Sequence, residues 1–129
     1  MMDKLIRYIS YKLGCIHPFW ASRLLVLANW RNIEEKGKPI VGFKVDGFEA
    51  GFYIENFKDY FENQCYKKNE EKKCLEYLCD EPDLPEDVKN LIDRLIEETR
   101  DMDDTEINRL VIRDPRYREL LEKGGFSSN

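Results

Sequence analysis

Residues 40–54 read IVGFKVDGFEAGFYI, two runs of alternating apolar residues on either side of an Asp-Gly pair. A two-residue type I′ turn needs positive φ at both central positions, and Asp46-Gly47 supplies them at little cost. With a turn at Asp46-Gly47, Lys44 lies opposite Glu49 on one face of a β-hairpin. It places six apolar side chains on the other face, which is predicted to cover a core: Val41, Phe43, Val45, Phe48, Ala50 and Phe52.

Most of the remaining chain shows apolar residues at helical spacing. The predicted helices cover residues 2–13, 18–35, 56–66, 70–79, 85–100 and 103–111, with a last turn or two near 117–121. Five consecutive apolar positions, 24–28, leave the second helix little polar surface, so it is predicted to be central. The predicted fold class is mainly α (α+β), with about six helices around this buried helix and one β-hairpin at about 40–54.

The length and composition suit a single domain. The chain has 129 residues, of which 42% are hydrophobic and 36% charged, enough to bury one core. We predict a domain at 1–123 and a flexible tail at 124–129. No apolar run approaches the ~18 residues that a membrane span needs. The first residues, MMDKLIRYISYKLG, carry charges throughout and do not resemble a secretory signal, so we expect a cytoplasmic protein.

Charge is unevenly distributed along the chain. The net charge is −5, yet residues 1–45 hold eight Lys/Arg and three Asp/Glu, and residues 67–104 hold seven Lys/Arg and fourteen Asp/Glu. The plain interpretation is a solvated acidic face. A sharper interpretation is a pair of opposite patches, one of which docks a charged partner. The acidic balance argues against a dedicated nucleic-acid binder.

The four cysteines, Cys15, Cys65, Cys74 and Cys79, allow three interpretations. They form no Cys-x-x-Cys pair and their spacing is irregular, which favours reduced thiols. A disulfide among the last three stays open, more so in a hyperthermophile. A metal site that includes His17 is the third alternative, although no zinc-binding spacing supports it.

Catalytic motifs are not apparent. The one histidine, His17, precedes Pro18 at a predicted helix start, and a Cys15–His17 dyad would need a special turn and a third group. The glycines match no phosphate-binding pattern. The paired carboxylates are typical of exposed turns and helix caps. We therefore expect a protein that is not an enzyme and that has no cofactor and no metal.

Aromatic residues crowd residues 19–61. Most are predicted to lie in the core, where an apolar hairpin face packs on a tryptophan-containing helix. The surplus suits a protein-binding patch, since aromatic side chains dominate interface hot spots. The candidates off the predicted core face are Trp30, Ile40 and Tyr53.

The order of these elements resembles the SocA-like antitoxin family, also called the Panacea domain, which occurs in phage-associated and toxin–antitoxin proteins. Residues 21–40, ASRLLVLANWRNIEEKGKPI, are similar to its leucine- and aromatic-rich helix, which closes with a Gly-x-Pro-Ile turn. Residues 105–117 are similar to its C-terminal helix before a Pro-aromatic turn. Family members often carry a Gly-Pro step soon after the hairpin, whereas residues 51–56 read GFYIEN.

The resemblance implies a non-enzymatic module that binds and neutralises a toxin-like protein, or presents it to a protease, without a cofactor. The alternative is a DNA-binding regulator of a mobile-element or toxin–antitoxin operon, supported by the basic N-terminal region. The second helix is too apolar to lie in a DNA groove, so nucleic-acid binding is not the favoured hypothesis.

Overall fold

The computed structural model describes residues 1–127, which contain five α-helices and six strands. The helices are α1 (Met2–Leu13), α2 (Pro18–Lys36), α3 (Glu86–Thr99), α4 (Asp104–Ile112) and α5 (Tyr117–Lys123). The strands are β1 (Cys15–Ile16), β2 (Phe43–Phe48), β3 (Gly51–Ile54), β4 (Tyr66–Asn69), β5 (Cys74–Tyr77) and β6 (Gly125–Phe126). A 3₁₀ turn covers Phe57–Phe61. None of the helices in this part of the chain combines the length and hydropathy that crossing a bilayer requires.

Helix α2 lies at the centre, as its apolar sequence predicts. It contacts α1, α3 and α4, and most of its side chains are buried. Pro18 occupies the first turn, where its missing N–H costs nothing. The helix ends at Gly37, which adopts the left-handed conformation (φ 79°) that a Cβ would disfavour. The predictions for α1, α2, α3 and the Asp103–Glu106 capping box of α4 are confirmed.

The predicted fold, six helices with one hairpin, is wrong, because the protein is α+β with two three-stranded antiparallel sheets. Their strand orders are β1-β5-β4 and β3-β2-β6. The predicted helix at 56–66 is only a 3₁₀ turn, and the predicted helix at 70–79 is replaced by β5. The apolar residues of 70–79 show no strict alternation, so pairing with β1 and β4, and not the local pattern, makes this segment a strand.

The hairpin lies where it was predicted, but its turn is three residues later. Val45 pairs with Ile54, and Gly47 pairs with Phe52, so the turn is at 49–50 rather than at Asp46-Gly47. This register buries Val45, Phe52 and Ile54 together and leaves Phe48 exposed. Burial of these three side chains outweighs the local preference of the Asp-Gly pair.

Gly47 is required in β2 for space rather than for a turn. A Cβ at this position would lie 2.4 Å from the Gly51 carbonyl oxygen and 2.8 Å from the Phe52 Cβ. We expect Gly47→Ala to lower the free energy of unfolding by about 2 kcal/mol, as overpacking against fixed backbone does. Chemical denaturation measures it, with exposed Lys44→Ala on the same strand as control. Equal stability of the two variants would contradict the tight approach.

All four cysteines are paired, which corrects the prediction of reduced thiols. Cys15 bonds Cys74 and joins β1 to β5, and Cys65 bonds Cys79. The Cα–Cα separations, 5.6 and 5.2 Å, lie within the usual range for a disulfide. The spacing of the cysteines did not reveal these pairs, because their members are 59 and 14 positions apart and are brought together by the fold. Disulfides of this kind are typical of oxidising compartments and of hyperthermophile cells.

Residues 124–126 belong to the folded structure. A flexible tail was predicted from residue 124, and residues 128 and 129 lie outside the described range. Within the predicted tail, Phe126 pairs with Phe43, and Gly125 pairs with Lys44, to form β6. Packing drives this pairing, because the Phe126 ring lies 5.2 Å from the Phe43 ring and 6.5 Å from that of Trp30.

The basic and acidic halves of the sequence pair with each other along α1, α2 and α3. Arg31 binds Glu98 at 2.7 Å, Lys12 lies 3.7 Å from Asp93, and Lys36 pairs with Asp87. The hydrogen bond from Arg31 lowers the pKa of Glu98. Three basic side chains of residues 1–45 are therefore paired with acidic side chains of α3 at the surface.

Candidate functional site

Three exposed aromatic side chains gather around the N-terminal half of α2. Phe19 is 39% exposed, Phe48 72% and Tyr53 57%. They border two adjoining hollows of about 410 and 450 Å³, which share Phe19, Arg23, Phe52 and Tyr53 as lining. We call the two hollows the Arg23 groove. Helix α2 forms one wall and the β2–β3 hairpin the other, so the shifted hairpin register is what places Phe48 and Tyr53 here.

Arg23 lies at the base of this groove, between two aromatic rings. Its guanidinium carbon is 3.9 Å from the centre of the Phe19 ring and 4.0 Å from that of Phe52. Its Nε donates to the Asn108 Oδ1 at 3.0 Å, and its Nη1 donates to the Ser22 Oγ at 2.9 Å. Stacking and two hydrogen bonds fix the guanidinium in one orientation.

Arg23 is a charged side chain that is buried. The residue is 4% exposed and is the one buried charged side chain between residues 1 and 127. Burial lowers the pKa of its guanidinium to about 10, because the charged form loses its hydration. None of the carboxylates described lies within ion-pair distance of it.

The rim of the groove is held by hydrogen bonds. Asp46 accepts from the Tyr53 hydroxyl at 3.1 Å and from the Gly47 amide at 2.8 Å, and the first of these bonds raises the pKa of Tyr53. The Tyr117 hydroxyl donates to the Phe48 carbonyl at 2.6 Å. These contacts hold the backbone that carries the exposed aromatic side chains.

The structure separates the three predicted partner-binding residues. Tyr53 is exposed in the Arg23 groove. Trp30 is 3% exposed and packs beneath Phe126 and Arg116, whose guanidinium carbon is 4.7 Å from the centre of its ring. Ile40 is half-buried, and its amide donates to the Asn29 Oδ1 at 2.9 Å. Of the three, only Tyr53 presents a largely accessible side chain.

A third hollow, of about 530 Å³ and separate from the Arg23 groove, is lined by Cys15 and His17 among others. The conceivable Cys15–His17 dyad does not form here, because the Cys15 sulfur is bonded to Cys74 and no thiolate is present. His17 is the N-cap residue of α2 and its side chain makes no capping hydrogen bond. No group of three His, Cys, Asp or Glu side chains within residues 1–127 is arranged to hold a metal ion.

Sequence reasoning missed Arg23 and the exposure of Phe19 and Phe48. One signal for Arg23 was available, since it stands within the apolar run ASRLLVLA of a helix predicted to be buried. A charged residue on such a helix is rarely buried without a partner. Phe48 was assigned to the core face because the predicted turn was three residues too early.

Comparison of the chain with protein-family models, with curated proteins and with solved structures finds no match.

Proposed function

We propose that this protein is a non-enzymatic binding module that holds a protein partner in the Arg23 groove. The observation that carries the proposal is the gathering of Phe19, Phe48 and Tyr53, all exposed, around a single buried arginine. Aromatic and arginine side chains are enriched in interface hot spots. A contiguous exposed apolar patch on a small protein commonly marks an interaction site.

The resemblance to the SocA-like family makes a toxin-like protein the proposed partner. The two disulfides add a condition, because both proteins must meet where cystines persist. The alternative, a DNA-binding regulator, loses support because several N-terminal basic side chains are engaged by acidic residues of α3, among them Lys12, Arg31 and Lys36. A gel shift at low salt is the direct test of that alternative.

The test of the proposal is capture of a partner from the native host by the purified protein. We expect a stoichiometric protein partner, and we expect the double variant F48S/Y53S to retain it at least ~10-fold less well, since truncated aromatic hot spots cost a kcal/mol or more each. Both side chains are largely exposed. Y53S removes only the surface hydrogen bond to Asp46, so the melting temperature should fall by no more than about 4 °C.

The matched control is L78S/L110S, which removes two exposed leucines outside the groove. This variant should capture the partner as the original protein does. Loss of capture in both variants would point to general surface stickiness, and absence of any stoichiometric partner would count against a binding module.

A further inference from the structure

Within residues 1–127, two arginines stack on aromatic rings, and one of the two is bound by carboxylates. Arg116 lies over Trp30 and binds Asp114 at 2.8 Å and Glu34 at 3.0 Å. Its hydrogen bond with Asp114 raises the pKa of Arg116. Arg23 lies between Phe19 and Phe52, is more deeply buried, and has no carboxylate of residues 1–127 within ion-pair distance, although Asp104 acts on it at longer range. Buried charges in proteins are usually paired, so Arg23 is a cation with its partner missing.

One nitrogen of Arg23 remains free to take that partner. Nε and Nη1 are bonded within the protein, and no acceptor among residues 1–127 bonds Nη2. Within residues 1–127, the fully buried side-chain nitrogen that lacks a hydrogen bond is Arg7 Nε. Arg23 Nη2 also lacks a hydrogen bond but is not fully buried, so it is in contact with solvent. A Cβ on Gly51 would lie 3.3 Å from Nη2. The missing side chain at Gly51 thus leaves an approach to Nη2 from the first hollow, which Gly51 also lines.

We propose that Arg23 anchors a carboxylate of the partner, carried on a peptide segment whose neighbouring apolar side chains pack against Phe19, Phe48 and Tyr53. This inference rests on the proposed function and names the chemistry its site selects. A guanidinium N–H donates to a carboxylate oxygen in a charge-assisted hydrogen bond, which is strongest where water is excluded. Entry of the carboxylate also supplies the charge partner that Arg23 lacks.

The charges around the approach to Nη2 favour a carboxylate over a phosphate group. Arg23 and Asp46 are the charged side chains that line the first hollow, and Lys58 lines only the second. A singly charged carboxylate balances the charge of the guanidinium. A phosphate carries nearly two negative charges, and the second is repelled by Asp46. The aromatic rim provides apolar contact area on either side of the anchor.

The experiment is a nuclear magnetic resonance titration that follows the Arg23 Nε–H signal of the intact, oxidised protein. The probes are the blocked tripeptides acetyl-Phe-Asp-Phe-amide, its neutral isostere with Asn, and the analogue with phosphoserine. We expect the Asp peptide to shift the Arg23 signal and to bind at least about tenfold more tightly than the Asn peptide, as hydrogen bonds to charged groups do.

Two variants and one control assign the preference to Arg23. Arg23→Met removes the charge but keeps an apolar stem between the rings, and it should abolish the Asp-over-Asn preference. Gly51→Ala adds a methyl group in front of Nη2 and should reduce the preference in a protein that keeps its arginine. Arg116→Met removes the other ring-stacked arginine, whose carboxylates are internal, and should leave the preference intact.

Equal binding of the Asp and Asn peptides, no binding of either, or a preference that survives both Arg23→Met and Gly51→Ala would overturn the inference. Tighter binding of the phosphoserine peptide would replace the carboxylate with a phosphate. These outcomes are separable from those of the partner capture. If F48S/Y53S loses the partner and L78S/L110S keeps it, but the Asp peptide is not preferred, the carboxylate anchor alone is wrong. If the Asp peptide is preferred but no partner is captured, the binding-module proposal is wrong.

Discussion

Replacing both halves of the Cys15–Cys74 disulfide with serine lowers the free energy of unfolding by about 4 kcal/mol, the largest effect we expect from any single cross-link or contact here. The two cysteines are 59 residues apart, and an open loop of that length gains much conformational entropy in the unfolded chain. The bond also joins β1, a strand of two residues, to β5. Urea unfolding followed by tryptophan fluorescence measures the change.

The second disulfide provides the control. Cys65 and Cys79 are 14 residues apart, so C65S/C79S should cost about 3 kcal/mol. Reducing agent should destabilise each variant further and the original protein most. A C15S/C74S protein as stable as the original, or an original protein whose unfolding ignores reducing agent, would show that this bond does not hold the native state.

We expect the replacement of Asn29 with leucine to lower the free energy of unfolding by about 3 kcal/mol. Asn29 is fully buried on α2. Its amide donates to the Val41 carbonyl at 2.8 Å, and its carbonyl accepts from the Ile40 amide at 2.9 Å and from the Val41 amide at 3.2 Å. Leucine keeps a similar volume but leaves these three backbone groups without partners, and unmade buried hydrogen bonds are costly.

Asn32, one turn further along α2, is the matched control. It is also buried, but it makes a single hydrogen bond from its side-chain amide, to the Lys38 carbonyl at 2.9 Å. Asn32→Leu should therefore cost about 1 kcal/mol. Equal losses in the two variants, measured by the same urea unfolding, would mean that the segment before β2 is not held by Asn29.

The helices were predictable because their signals are local. The stripe of Val88, Leu91, Ile92 and Leu95 in α3 and the Asp103–Glu106 capping box each lie within a few residues of the structure they specify. The central place of α2 followed from its unbroken apolar run. These features depend little on what the rest of the chain does.

The sheets were not predictable in the same way, because their partners lie far apart in sequence. Strand β5 pairs with β1 across almost half of the chain, and the residues between Glu70 and Cys79 carry no strict alternation. The hairpin register failed for a related reason. Asp46-Gly47 favours a turn locally, but burial of Phe52 and Ile54 against the helices moves the turn to 49–50.

The candidate site was predicted only at Tyr53. Its position off the core face survived the change of register, since Tyr53 still points away from Val45 and Ile54. Trp30 was predicted to be a partner-binding residue, but Phe126 and Arg116 cover it. Both come from the other end of the chain, so the sequence around Trp30 does not indicate its burial. Arg23 could be found only once the neighbouring rings and the absence of a carboxylate were visible.

Because β6 is near the C-terminus, the β2 edge that it covers stays unpaired until synthesis is almost complete. Strand β6 pairs with the edge of β2 opposite β3, and a Cβ on Gly125 would lie 2.1 Å from the Phe43 carbonyl oxygen. A ribosome makes β2 roughly 80 residues before it makes β6. Throughout that interval the β2 edge offers unpaired backbone groups to other nascent chains. Pairing of unfinished chains through this edge is therefore the route to aggregation that the fold leaves open during synthesis.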